Sequence, residues 1–125
     1  MNPEINQLPE EIIGAAIEVH RELGSGLLES VHQKALAYDL KPRGIIFEEQ
    51  ELCPIRYKDL LVEDASRLDF LAHRLVVVEL KTVDASIDVH EAQLLTHLKF
   101  TGCRLGLLLN FNSTTLIKGI RRPAL

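Results

Sequence analysis

Apolar residues recur at two different spacings along the chain, and the changes between them mark out the elements. Ile13, Ala16, Ile17 and His20 follow a helical period, which predicts a first helix over residues 9–23 with those positions on one face. Pro9 suits its first turn, and Gly24-Ser25-Gly26 stops it and turns the chain. A second helix is predicted over residues 28–41, with Leu28, Val31, Ala35 and Leu36 as its apolar stripe and Pro42 and Gly44 at its end. Strand-like segments follow. Residues 45–51 continue into 52–57 after a bend or bulge, and Pro54 argues for an edge position. Lys58-Asp59 is a hairpin turn before residues 60–63, and residues 67–72 form a further strand closed by a tight turn at His73-Arg74. Residues 75–83 are a nearly continuous apolar run broken by Glu79 and Lys81, as expected of a central strand covered on both faces. A third helix spans residues 88–100, capped by Ser86 or Asp88 and ended by Gly102. Strands over 104–111 and 116–122 complete the order ααβββ(β)αββ, an α/β domain with a mixed sheet flanked by helices. The strand–helix–strand segment fits a right-handed crossover.

Composition narrows this picture. A chain of 125 residues, 46% hydrophobic and 26% charged, suits a single globular domain over residues 1–125. No charged-then-apolar leader opens it, and its apolar runs are too short to span a bilayer, so a cytoplasmic protein without a membrane partner is expected. Cys53 and Cys103 lie far apart with no zinc-like spacing and read as reduced, half-buried thiols. The formal net charge of −4 gives no basic field for nucleic acid. Bound divalent cations can nevertheless cancel active-site carboxylates in an acidic protein.

The informative residues are charges set inside apolar runs. In a strand, Glu79 and Lys81 project to one face, and burying either ion alone costs several kcal/mol. The short turn at His73-Arg74 makes the flanking strands an antiparallel hairpin and brings Asp69 opposite Glu79 or one pair away. Two carboxylates at one place repel unless a cation lies between them, and hard divalent cations favour oxygen ligands. Each residue alone is also what a surface hairpin ion pair looks like; the surrounding apolar run is what favours a site.

Asp69 followed by Glu79-Leu80-Lys81 resembles the D…(D/E)xK pattern of the PD-(D/E)XK nuclease superfamily. More closely, the chain resembles the small bacterial and archaeal proteins called the GxxExxY family. The matching stretches are Ala15-Ala16-Ile17-Glu18-Val19-His20-Arg21-Glu22-Leu23-Gly24, Gly26-Leu27-Leu28-Glu29-Ser30-Val31, Val78-Glu79-Leu80-Lys81, His90-Glu91-Ala92-Gln93-Leu94-Leu95-Thr96 and Leu108-Leu109-Asn110-Phe111-Asn112. The resemblance implies a restriction-endonuclease-like core that hydrolyses phosphodiesters of DNA or RNA with Mg²⁺ or Mn²⁺. It implies Asp69 and Glu79 as metal ligands, the Leu80 carbonyl near the same ion, and Lys81 acting on the attacking water and the developing charge. It further implies Glu29, from the second helix, as an additional acid of the same metal site, and Gln93 as a helix-borne polar residue beside it. His32 stands where the family name has Tyr, and His97 where relatives commonly carry Tyr, so a titratable ring replaces a phenol at both places.

Other polar residues keep two readings. His90, Gln93 and His97 fall on one helical stripe, able to line a cleft or to form a row of half-exposed side chains. His20 reads as a satisfied core histidine or as a partner of Glu29. Arg67 shares a strand face with Asp69 and could meet a carboxylate or a phosphate. Beside a nuclease stand two further functions: a non-catalytic nucleic-acid or protein-binding module, and a subunit of a repair or defence assembly. A homodimer is the simplest such assembly, since the edge near Pro54 and the last strand could pair with another chain.

Overall fold

The computed structural model describes residues 7–125. Its elements run α1 (Leu8–Leu23), α2 (Glu29–Leu40), β1 (Phe47–Tyr57), β2 (Leu60–Ala72), β3 (Val76–Lys81), α3 (Asp88–Thr101), β4 (Leu105–Asn110), a 3₁₀ turn (Leu116–Gly119) and β5 (Ile120–Arg121). The five strands form one mixed sheet in the order β1-β2-β3-β4-β5. Among the described residues only β3 and β4 pair in parallel, with α3 connecting them. The fold is therefore the α/β arrangement expected, a mixed sheet flanked by three helices. Among the described residues no helix is long and apolar enough to cross a membrane.

The helices end where local chemistry requires. Glu10 and Glu11 lie in the first turn of α1 and His20 and Arg21 in its last, complementing the helix dipole. Gly24, at φ 72°, leaves the helix, and its N–H caps the His20 carbonyl at 2.8 Å. The buried faces are turned from those the periodicity suggested. In α1 the sheet-facing residues are Leu8, Ile12, Ala15, Ala16 and Val19, with Ile13 and Ile17 at the margin. In α2 they are His32, Leu36, Ala37 and Leu40, whereas Leu28 and Val31 are exposed. His32 displaces them because its flat ring stacks on Phe111 at 4.5 Å and its Nε2 is satisfied by the Gly24 carbonyl at 3.0 Å. These two contacts seat the ring in the core, although its Nδ1 is buried without a hydrogen-bond partner.

Two apolar layers hold the sheet. α1 and α2 cover one face, built from Phe70, Val76, Val78, Leu80, Leu107 and Leu109. On the other face α3 plants Leu94 and Leu98 over Leu71, Val77 and Leu108. Residues 60–63 and 67–72, expected as separate strands, are one strand, because the register shift between Cys53 and Ile55 absorbs the extra residues of β2 without breaking the ladder. Pro54 sits at that irregularity on the edge strand. The expected last strand over 116–122 is mostly the 3₁₀ turn, and only Ile120–Arg121 pair with β4.

The segment between β3 and α3 is fastened by Asn110, 6% exposed at the end of β4. Its Oδ1 accepts the Val83 N–H at 3.1 Å and the Asn112 N–H at 3.2 Å, while Nδ2 donates to the Val83 carbonyl at 3.0 Å. Asn110→Ala strands these groups and is expected to cost about 2–4 kcal/mol. Urea unfolding should show a lowered midpoint with unchanged slope; a loss below about 0.5 kcal/mol would mean that water replaces the amide.

Candidate functional site

The β2–β3 ladder stops early, and the site lies where it stops. Cross-strand pairing runs Ala72↔Val76, Leu71↔Val77 and Phe70↔Val78. The turn that sets this register places His73 and Arg74 at φ 50° and 54°, and the Leu75 N–H closes it on the Ala72 carbonyl at 2.9 Å. Beyond Phe70 the strands part, and side chains take over the main-chain donors. The Asp69 N–H donates to Glu79 Oε2 at 3.3 Å, and the Leu80 N–H donates to Asp69 Oδ2 at 2.8 Å. Two carboxylates are thus locked across the gap between two strands, with Glu79 only 7% exposed.

These residues open into a cleft of about 380 Å³ between the sheet and α3. Asp69, Glu79 and Lys81 line it from the strands, and His90, Gln93 and His97 line it from α3. Glu79 and Lys81 share the α3-facing side of β3 because they are two residues apart. The helical stripe of His90, Gln93 and His97 faces the cleft, and His90 Nδ1 lies 3.3 Å from Gln93 Oε1. Arg67 also lines the cleft; its Nη1 donates to the Gln50 carbonyl at 3.3 Å.

Glu29 is the first residue of α2 and does not line this cleft, although its charge acts on Asp69. Its Oε1 is shut off from solvent without a hydrogen-bond partner. Burial raises the Glu29 carboxyl above its ordinary value; Lys81 opposes the shift and Glu79 adds to it. Asp69 is pushed up to about 6, first by burial and then by the Glu79 carboxylate, while the Leu80 N–H holds it down. A crowd of carboxylates short of positive charge is what a hard cation relieves.

Among the described residues no three Asp, Glu, His or Cys side chains close on a common point in the manner of a complete metal cage. A site of two carboxylates, a main-chain carbonyl and water has no need of one, since Mg²⁺ keeps several waters. Asp69 Oδ1 retains only a 3.5 Å contact, from Gln50 Nε2. The donor set therefore fits such an ion in charge and in hardness.

The other histidines separate from the site. His20 Nε2 lies 2.9 Å from the Ser113 carbonyl, so its ring is satisfied, but it is half-buried at the margin of the core rather than inside it, and no hydrogen bond joins it to Glu29. His32 is fully buried against Phe111. Two residues beside the site carried no sequence signal. Ser66 places Oγ 2.8 Å from His97 Nε2. Gln50 adopts φ 54° inside β1 and links Gln33 of α2, at 3.2 Å, with Asp69. Left-handed backbone at a non-glycine residue within a strand is uncommon and costs free energy.

The family model of the PD-(D/E)XK nuclease superfamily designated PDDEXK_3 matches residues 6–123. No match was found among curated proteins or among solved structures. With the match running over nearly its whole length, the chain belongs to the PD-(D/E)XK nuclease superfamily.

Proposed function

We propose that the cleft hydrolyses phosphodiester bonds of DNA or RNA with a bound Mg²⁺ or Mn²⁺. The observation that carries this reading is the pair Asp69 and Glu79, interlocked through main-chain N–H groups, with Lys81 in the same cleft. Asp69, Glu79 and the Leu80 carbonyl would hold the ion, and Glu29 would be the accessory acid whose buried Oε1 lacks a partner. When bound, the ion supplies Lewis acidity toward a phosphoryl oxygen and lowers the cost of ionising water.

The remaining work falls to this chain's own side chains. Lys81 projects its ammonium where negative charge gathers on phosphorus during attack. Gln93, facing the strands from α3, can orient water or a phosphate oxygen through its amide. Arg67, at the mouth, offers a guanidinium to a neighbouring phosphate. The stretch Gly26-Leu27-Leu28-Glu29 supports placing the chain with the GxxExxY proteins inside the superfamily. Two reduced thiols and the acidic charge fit action in the cytoplasm.

The test is incubation of the purified protein with plasmid DNA and with structured RNA, with Mn²⁺ and with EDTA. Metal-dependent strand scission of either substrate is expected. Binding without turnover, indifferent to Mn²⁺, would replace the enzyme by the non-catalytic module.

A further inference from the structure

We infer that His97 is a positioning residue: it holds the Glu79 carboxylate in the orientation that a divalent ion requires, and Ser66 fixes the imidazole for that task. The inference rests on the metal-dependent reading above and adds to it a residue pair outside the ligand set. His97 Nδ1 lies 2.7 Å from Glu79 Oε1, and the two side chains are 14% and 9% exposed. The other carboxylate oxygen, Oε2, is occupied by the Asp69 N–H. Glu79 is thereby held at both oxygens.

The Glu79 carboxylate only accepts, so the hydrogen bond at Nδ1 needs the proton on that nitrogen. Ser66 Oγ lies 2.8 Å from Nε2, where a hydroxyl can donate to the neutral ring and hold it in place. The chain Ser66–His97–Glu79 crosses from β2 through α3 to β3 and ties three elements to one carboxylate. α3 cannot drift, because Leu94 and Leu98 are fully buried on either side of His97. Outer partners of this kind orient metal ligands, and losing one typically lowers affinity 10- to 100-fold.

The experiment is Mn²⁺ titration by calorimetry of the wild type, His97→Leu, His97→Asn and Ser66→Ala, with circular dichroism to verify folding and cleavage measured against Mn²⁺ concentration. His97→Leu should bind about 10- to 100-fold more weakly. His97→Asn, whose amide nitrogen can stand in for Nδ1, should recover to within about fivefold of wild type, and Ser66→Ala should lose less than His97→Leu. Saturating Mn²⁺ should restore cleavage by His97→Leu, because the defect lies in holding the ion. Equal affinity of wild type and His97→Leu overturns the inference. So does a folded His97→Asn as weak as His97→Leu, which would reduce His97 to packing, or a cleavage defect that saturating Mn²⁺ leaves in place. If His97→Leu does not fold, His97→Asn and Ser66→Ala decide the matter: wild-type affinity in Ser66→Ala overturns the relay. A wild type that binds Mn²⁺ without cleaving sinks the nuclease reading and leaves the affinities to judge His97. A wild type that binds no Mn²⁺ sinks both.

Discussion

Lys81→Ala is expected to lower phosphodiester cleavage by about 100- to 1000-fold while leaving the fold and the Mn²⁺ affinity in place. The size follows from the job assigned to the ammonium. Removing one preorganised charge or donor aimed at transition-state charge in a sheltered cleft typically costs that factor. The fold should survive because Lys81 is the last residue of β3 and only half-buried, while Val76, Val77, Val78 and Leu80 carry the strand's packing. Metal affinity should hold or rise, because Lys81 is the cation that opposes the upward shift of Glu29 and competes with an ion for the same negative charge. Arginine is expected to rescue poorly, since a planar fork does not reproduce a point charge. Single-turnover cleavage at saturating Mn²⁺, beside a calorimetric titration, separates these quantities. Undiminished cleavage by Lys81→Ala would remove the lysine from the chemistry and leave the Asp69–Glu79 pair alone behind the proposed site.

The central strand could be read from the sequence because it breaks its own rule: an apolar run seldom contains Glu and Lys two residues apart unless something on that face needs them. The His73-Arg74 turn then brings Asp69 opposite Glu79 or one pair away, and the Phe70↔Val78 register decides for the facing position. Other features left no trace in one dimension. Asp69 and Glu79 bind each other's main chain because the ladder ends at Phe70 and Val78, and where a ladder ends is decided by packing across the sheet. Ser66 matters only through its distance to His97, thirty-one residues away. The two N-terminal helices were placed correctly but turned about their axes, since periodicity scores Leu28 and Val31 as core and cannot anticipate that His32 finds a carbonyl and an aromatic face. Hydrophobic spacing thus locates elements well. It locates buried polar contacts only where a charge visibly interrupts it.

Asp69→Asn should abolish cleavage and at the same time stabilise the metal-free protein at neutral pH. Folding raises the Asp69 carboxyl from its ordinary 3.8 to about 6, chiefly through burial and then through the Glu79 carboxylate. Below about pH 4 the group is protonated in both states and contributes no difference. Between about pH 4 and 6 the folded state holds more protons than the unfolded one, so stability falls as pH rises; above about 6 the penalty stays constant. A displacement of two units corresponds to about 3 kcal/mol, and the partial exposure of the group reduces the expected effect to about 1–2 kcal/mol. Asparagine removes the charge yet keeps an oxygen for the Leu80 N–H. Without divalent ions the variant should therefore melt a few degrees higher than wild type at pH 7.5, with the advantage vanishing near pH 4. Mn²⁺ should reverse the ranking, since an ion at a hundred times its dissociation constant stabilises the wild type by about 2.7 kcal/mol and leaves the variant nearly untouched. Thermal melts of both proteins across that pH range, with and without Mn²⁺, measure each step. A variant less stable than wild type at pH 7.5, with a gap that does not change on acidification, would mean that Asp69 serves the fold through its hydrogen bond to Leu80. The predicted pattern instead marks a carboxylate kept at the expense of stability, as expected of a group whose role requires an ion.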